Sequence, residues 1–417
     1  MKKTDSMMTR NKAEIVSPGG NFEKMRFALM YGADAVYFGG EEFNLRDKAG
    51  NFSFDEIKKG VELCHLSGAK AFFLLNAFLH EADVLSAESY IKSLAGIDFD
   101  AVIVSDPGML VLVREHLNCK VHISTQQSTL NHLSVKFWQS QGASRIVLAR
   151  ETTLPEIKMI KDYSDAEIEI FAHGAVCVSY SGRCLLSRYF TGKDANSGVC
   201  TQPCRWKYKI IEEKRLGDHF EVIEHQNATE ILSSKDLCLI GNLGEYIEAG
   251  VDAFKIEGRM KSAYYAAGVT RIYKDALNEY YSSGTYSSKL PKYNEELDLI
   301  SHRPYTDDLF HEFEKGYESI PYIQKTDFLG VSLSSSASSE IDFKAYNPVY
   351  AGTEFEFIAP LEDGKFIDGY CTLKEIIDIN NETLKYEMAR PNAVYKAVFD
   401  REMPIGSVFR MRVKEKE

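Results

Sequence analysis

Five of the chain's eight cysteines fall between residues 177 and 238, in the runs HGAVCVSYSGRC, VCTQPCRW and SKDLC. A thiolate is the shared ligand of zinc and of iron-sulfur clusters, so clustering of this kind points to a metal site. Six residues separate Cys177 from Cys184, fifteen separate Cys184 from Cys200, three separate Cys200 from Cys204, and thirty-three separate Cys204 from Cys238. Structural zinc sites commonly draw their ligands from two tight knuckles, and only Cys200 and Cys204 form one here. Ligands gathered from separate loops suit a four-iron cluster better, with zinc and unligated thiols as the alternatives. Cys64, Cys119 and Cys371 each stand alone and read as small core residues.

The same stretch concentrates positive charge. From Cys177 to Arg215 there are eight basic residues, among them Arg183, Arg188, Arg205 and Lys207, against three acidic ones, with Tyr180, Tyr189, Phe190, Trp206 and Tyr208 interleaved. Basic groups alternating with aromatics neutralise phosphates and stack unpaired bases, which makes Arg183, Arg188, Arg205, Trp206 and Lys207 candidates for RNA contact. The alternative is that the rings pack around the cysteines while the charges are solvated. The chain as a whole carries a net charge of -12, which argues against indiscriminate nucleic-acid binding.

These residues need a scaffold that brings separate loops together. Short apolar strands are expected at 14–17, 34–38, 71–75, 101–105, 121–124, 146–149, 168–172 and 253–257, alternating with amphipathic helices, the last two at 236–249 and 262–281. Eight strand-helix repeats in about 280 residues predict a (β/α)8 barrel. Glycines in SPGG, FGG and SDPG after strands one, two and four ease the sharp exits. The barrel with its cysteine-rich insertion (174–234, after strand seven) is expected over 1–282 and a connector over 283–324. A small antiparallel β-barrel follows over 325–417, where runs such as GTEFEFIAP alternate apolar and polar residues.

Barrels of this kind react at the C-terminal ends of their strands, so the insertion, His173 and the end of strand eight share one face. His173 is a candidate proton shuttle or metal ligand, with a satisfied core histidine as the alternative. Lys255 and Glu257 point the same way, as an interior ion pair or as charges at the mouth. Arg259 can clamp a carboxylate bidentately or pack at a helix start. Ser124, Gln126 and Gln127 after strand five can offer hydrogen bonds. Serine- and metallopeptidase signatures of the GxSxG and HExxH kind do not occur. The segment MKKTDSMMTRNKAE is basic without an apolar core, and no run of about 18 apolar residues exists, so a cytoplasmic protein without membrane contact is expected.

Taken together, SPGG, YGADAVYFGG, DPG, HISTQQ, VLARE, the cysteine-rich run to CRW, SSKDLC and FKIEGRMKS resemble the U32 (collagenase-like) peptidase family, most closely its bacterial tRNA uridine 5-hydroxylase branch. The resemblance implies a barrel, a 4Fe-4S cluster and prephenate as the co-substrate that donates the hydroxyl oxygen. On the family pattern Cys177, Cys184 and Cys200 are ligands, with Cys238 and Cys204 competing as the fourth. The implied partners are tRNA, a small-molecule oxygen donor and a homo- or hetero-oligomeric arrangement with a paralogous member. The expected activity is hydroxylation of wobble uridine to 5-hydroxyuridine. A collagenase-like peptidase and a non-catalytic RNA-binding or cluster-carrying partner are the alternatives.

Overall fold

The computed structural model describes residues 12–46, 50–177, 179, 181, 184–193, 195–197, 199–203, 210–211, 219–220, 223–225, 228–230, 235–307 and 322–413. Two compact units emerge: Met1–Leu29, Asp34–Lys261 and Arg303–Tyr322 form the first, and Met30–Ala33, Ser262–His302 and Ile323–Glu417 the second.

The first unit is built on strands β1 (Glu14–Pro18), β2 (Ala35–Gly39), β3 (Lys70–Leu75), β4 (Ala101–Val104), β5 (Lys120–Ile123), β6 (Arg145–Val147) and β7 (Glu167–Ala175). Each pairs in parallel with the next. After an antiparallel strand β8 (Asp236–Cys238), strand β9 (Ala253–Ile256) pairs in parallel with both β1 and β7 and closes an eight-stranded barrel, as the repeat predicted. Runs such as AVYFG and AVIV are apolar throughout because parallel barrel strands are covered on both faces, and every residue of β2 and β4 is buried. Alternate residues Val16, Ala35, Tyr37, Phe72, Leu74, Ala101, Ile103 and Ala253 meet in one cluster, small side chains beside large rings.

Charged side chains from the strand starts close the barrel's N-terminal end. Arg145 reaches Glu14 (2.8 Å), Glu167 (2.9 Å) and Glu169 (3.3 Å), and Lys255 donates to Glu169 at 2.8 Å. Burial opposes ionisation of the fully buried Glu169, yet Lys255 and Arg145 outweigh it and hold its pKa below the ordinary carboxylate value. Lys255 is thus an interior ion-pair member.

Residues 236–238 were expected to begin a helix and instead form β8, paired antiparallel to β7 with Cys238 opposite His173. Its other edge is covered by the parallel strand β10 (Tyr305–Thr306). Arg303 and Asp236, both about 1% exposed, form a buried ion pair there at 2.8 Å. Tertiary pairing overrides the helix-like spacing of Leu237, Leu239, Ile240 and Leu243, and the helix is confined to Leu243–Glu248.

The second unit contains helices Ala263–Ser283 and Leu290–Asp298, the latter inside the segment expected to be a connector. Six antiparallel strands close into the expected small barrel: β11 (Thr326–Ser332), β12 (Ser338–Ala345), β13 (Glu354–Glu362), β14 (Lys365–Asp378), β15 (Val394–Met403) and β16 (Val408–Arg412). Closure is by the β13–β14 pairing. Its core is a nest of phenylalanines in which Phe399 stacks on Phe409 at 5.2 Å. Arg410 donates to both Glu296 and Glu356 at 2.9 Å, tying the second helix to the strands.

Candidate active site

Strand β7 ends at Ala175, and the chain turns at once into the cysteine-rich insertion. The Cys177 thiol donates to the Cys184 sulfur. That bond, with help from the Ser179 hydroxyl and the backbone N–H groups of Leu186 and Ser187, pulls Cys184 down to about 5 against the opposing effect of burial. The same bond, together with burial, pushes Cys177 well up. Two cysteines in mutual contact, with hydroxyl and backbone donors around Cys184, suit a metal-ligating pair.

Cys200 is half-buried and lies between Val199, whose carbonyl accepts from Ser187 Oγ at 3.2 Å, and Thr201, whose N–H donates to the same Oγ at 3.1 Å. This links the Cys200 segment to the helix Leu186–Thr191 that starts just after Cys184. Cys238 is half-buried on β8, opposite His173. Among the described residues no three His, Cys, Asp or Glu side chains converge closely enough to hold a metal ion; the Cys177–Cys184 pair is the part of the expected ligand set in direct contact. Cys204, Arg183, Arg205, Trp206 and Lys207 lie outside the described residues.

Beside the cysteines, the C-terminal end of the barrel gathers the other candidates. His173, 1% exposed, lies within β7; its Nε2 is 3.5 Å from the Tyr305 hydroxyl, and its carbonyl accepts the Glu257 N–H at 2.8 Å. Glu257 follows β9 and pairs with Arg150 at 3.3 Å and Arg46 at 3.9 Å. The Arg150 guanidinium stacks 3.9 Å over the Phe171 ring and also acts electrostatically on Cys177. It bridges the acidic end of strand eight and the thiol pair.

Arg259 is 3% exposed. Its Nη1 donates to Asn44 Oδ1 at 3.1 Å and its Nη2 to Asn51 Oδ1, while Nε has no hydrogen-bond partner among the described residues. Burial is the main force pulling its pKa down to about 10; Tyr37 and Glu257 oppose the fall, and Arg46 adds to it. Its direct acceptors are neutral amides, whereas a carboxylate would offer the guanidinium an oppositely charged, bidentate partner. A Cβ on Gly20 would stand 2.0 Å from the Arg259 carbonyl oxygen, so this approach requires glycine.

Ser124 and Ser105 both donate to Gln126, and Gln127 donates to the Ser105 carbonyl, so this polar set is largely satisfied internally. Arg188, Tyr189 and Phe190 are exposed on the helix after Cys184, Tyr189 by 82%. Sequence reasoning missed Arg150, Glu151, Asn44 and Asn51. The motif VLARE at the end of strand six carried the signal for the first two.

Among known proteins, the chain is 39% identical over 356 residues to tRNA hydroxylation protein P1 of Bacillus subtilis, covering 84% of each. It is 34% identical to tRNA hydroxylation protein P of Escherichia coli, over 73% of this chain and 78% of that one. A protein named collagenase from Porphyromonas gingivalis is 34% identical over 72% of this chain and 74% of its own length. Residues 20–319, which take in the barrel from β2 onward, the insertion and the mouth residues just described, match peptidase family U32, and the chain belongs to that family.

Proposed function

We propose that this chain is an RNA-hydroxylating enzyme that converts the wobble uridine of tRNA to 5-hydroxyuridine. The observation that carries the reading is the Cys177–Cys184 contact beside Arg150 and Glu257 at the mouth of a barrel. The relatives named for tRNA hydroxylation support RNA as the substrate class. Cys177, Cys184, Cys200 and Cys238 would hold a 4Fe-4S cluster, with Cys204 competing for the fourth place. When bound, such a cluster supplies redox-active iron for activating the oxygen donor, which the family resemblance makes prephenate.

The chain's own residues do the rest. Arg259 would hold a donor carboxylate in place of its amide acceptors, and His173 or Glu257 would serve as a proton acceptor at the barrel mouth. Tyr189 and Phe190 offer exposed rings for base stacking, with Arg188 beside them for a phosphate. The test is nucleoside mass spectrometry of tRNA from a deletion strain. Loss of 5-hydroxyuridine, restored by the wild-type chain, supports the proposal. Unchanged 5-hydroxyuridine, combined with gelatin cleavage by iron-free protein, hands the function to the peptidase reading that the collagenase relative favours.

A further inference from the structure

Strand β6 ends at Val147, and the loop behind it sends two consecutive side chains in different directions. Arg150 reaches Glu257 at the end of strand eight. Glu151 reaches the cysteine-rich insertion, thirty residues on, where one carboxylate oxygen accepts the Ser181 N–H at 2.8 Å and the other accepts the Ser181 hydroxyl. Ser181 lies between Cys177 and Cys184, is 1% exposed, and has φ +27, a left-handed conformation that a serine rarely takes unaided. A backbone turned this way needs an external partner to keep it there. A carboxylate that engages both the N–H and the hydroxyl of one residue is that partner, because it satisfies both donors with charge-assisted bonds.

We propose that Glu151 is the positioning residue of the cysteine site: by gripping Ser181 it sets the loop conformation that brings the Cys177 and Cys184 sulfurs together. The inference rests on the reading of these cysteines as cluster ligands. It assigns to the last residue of VLARE a role distinct from that of Arg150 beside it. Glu151 touches neither sulfur; it acts through the backbone of Ser181. Geometry is the requirement, so glutamine, whose amide oxygen accepts the same N–H and whose amide nitrogen can donate to the hydroxyl oxygen, should restore most of what alanine removes.

The experiment uses the full-length chain freed of iron and reduced, then exposed briefly to copper-phenanthroline, with peptide mass spectrometry reading the Cys177–Cys184 disulfide. Wild type should cross-link this pair ahead of other cysteine combinations. Glu151→Ala should slow it about tenfold, and Glu151→Gln should return it to within about threefold of wild type. Circular dichroism establishes that each variant is folded, and Ser181→Ala, which removes the hydroxyl contact alone, should fall between wild type and Glu151→Ala. Equal cross-linking rates in wild type and Glu151→Ala, or no Cys177–Cys184 cross-link in wild type, overturns the proposal. Iron reconstitution distinguishes the two readings: a wild-type chain that cross-links this pair yet binds no iron defeats the cluster while leaving the role of Glu151 intact.

Discussion

Replacing Arg259 by methionine separates a ligand-binding role from a structural one. Burial pulls its pKa from 12.5 to about 10, and at 1.36 kcal/mol per tenfold change in proton affinity, keeping it charged costs the fold about 3 kcal/mol. Because the folded value lies below the unfolded one, this cost is complete at every pH under about 10 and is relieved only above it, so a comparison at pH 7 contains all of it. Against it stand the hydrogen bonds to Asn44 and Asn51, each worth about 1.5 kcal/mol at the lower end for a charged donor. The Asn44 oxygen keeps a second donor, the Arg46 N–H at 2.9 Å. The two contributions nearly cancel, and methionine fills similar space. Arg259→Met should therefore change the unfolding free energy by no more than about 1 kcal/mol, against about 2–5 kcal/mol for truncating a buried apolar side chain. Urea titration followed by circular dichroism gives that number, and nucleoside mass spectrometry of tRNA treated with the same preparation gives the activity. The expected outcome is near-native stability, unchanged iron content and lost hydroxylation. A stability loss of about 3 kcal/mol or more, with activity falling only in step with the folded fraction, would show that Arg259 is a packing residue and refute the carboxylate role.

Alanine at Cys177 or Cys184 should abolish iron retention after anaerobic purification, and separate substitutions at Cys204 and Cys238 should show by iron content which supplies the fourth ligand. Tyr189→Ala should weaken binding of an anticodon stem-loop by about 1–3 kcal/mol if bases stack there, and unchanged affinity by fluorescence anisotropy would move the RNA elsewhere. Glu169→Gln strands Lys255 in the barrel interior and should cost about 3–5 kcal/mol in urea titration. Since the Glu169 pKa is lowered by folding, its stabilisation is present above the ordinary carboxylate pKa and is lost as pH falls through the folded value, so wild type and variant should converge in acid. Gly20→Ala should displace the backbone at Arg259 and reduce activity more than Arg259→Lys does, because it moves the carbonyl as well as the side chain.

The barrel was legible because most strands are short, largely apolar runs, and eight strand-helix repeats in about 280 residues suit a closed barrel better than an open sheet. The small barrel was legible from alternation, as in GTEFEFIAP, where Phe355 and Phe357 turn inward. Asp236–Cys238 was not, because a three-residue strand has too little pattern to outweigh neighbouring leucines at helical spacing, and its partners lie far away in sequence, at 173–175 and 305–306. The helix Leu290–Asp298 was hidden by its polarity: only Tyr293, Glu296 and Leu297 of its nine residues are buried. At the site, Arg259 and Glu257 stood out because charge at the end of a barrel strand is informative. Asn44, Asn51 and Glu151 did not, since ordinary polar loop residues gain meaning only when a distant partner, Arg259 or Ser181, is seen in contact with them.

The pairing of Cys238 with His173 has a consequence for how this architecture can vary. The two strands meet where the insertion leaves and rejoins the barrel, and the buried Arg303–Asp236 ion pair anchors the returning strand. A loop whose ends are clamped at its base can change length at little thermodynamic cost, about 0.6 kcal/mol for each doubling. Sequence between the clamp strands is therefore exchangeable in a way that the clamp itself is not. Chimaeras cut just inside Ala175 and Asp236 should fold with a relative's insertion in place while the barrel stays constant.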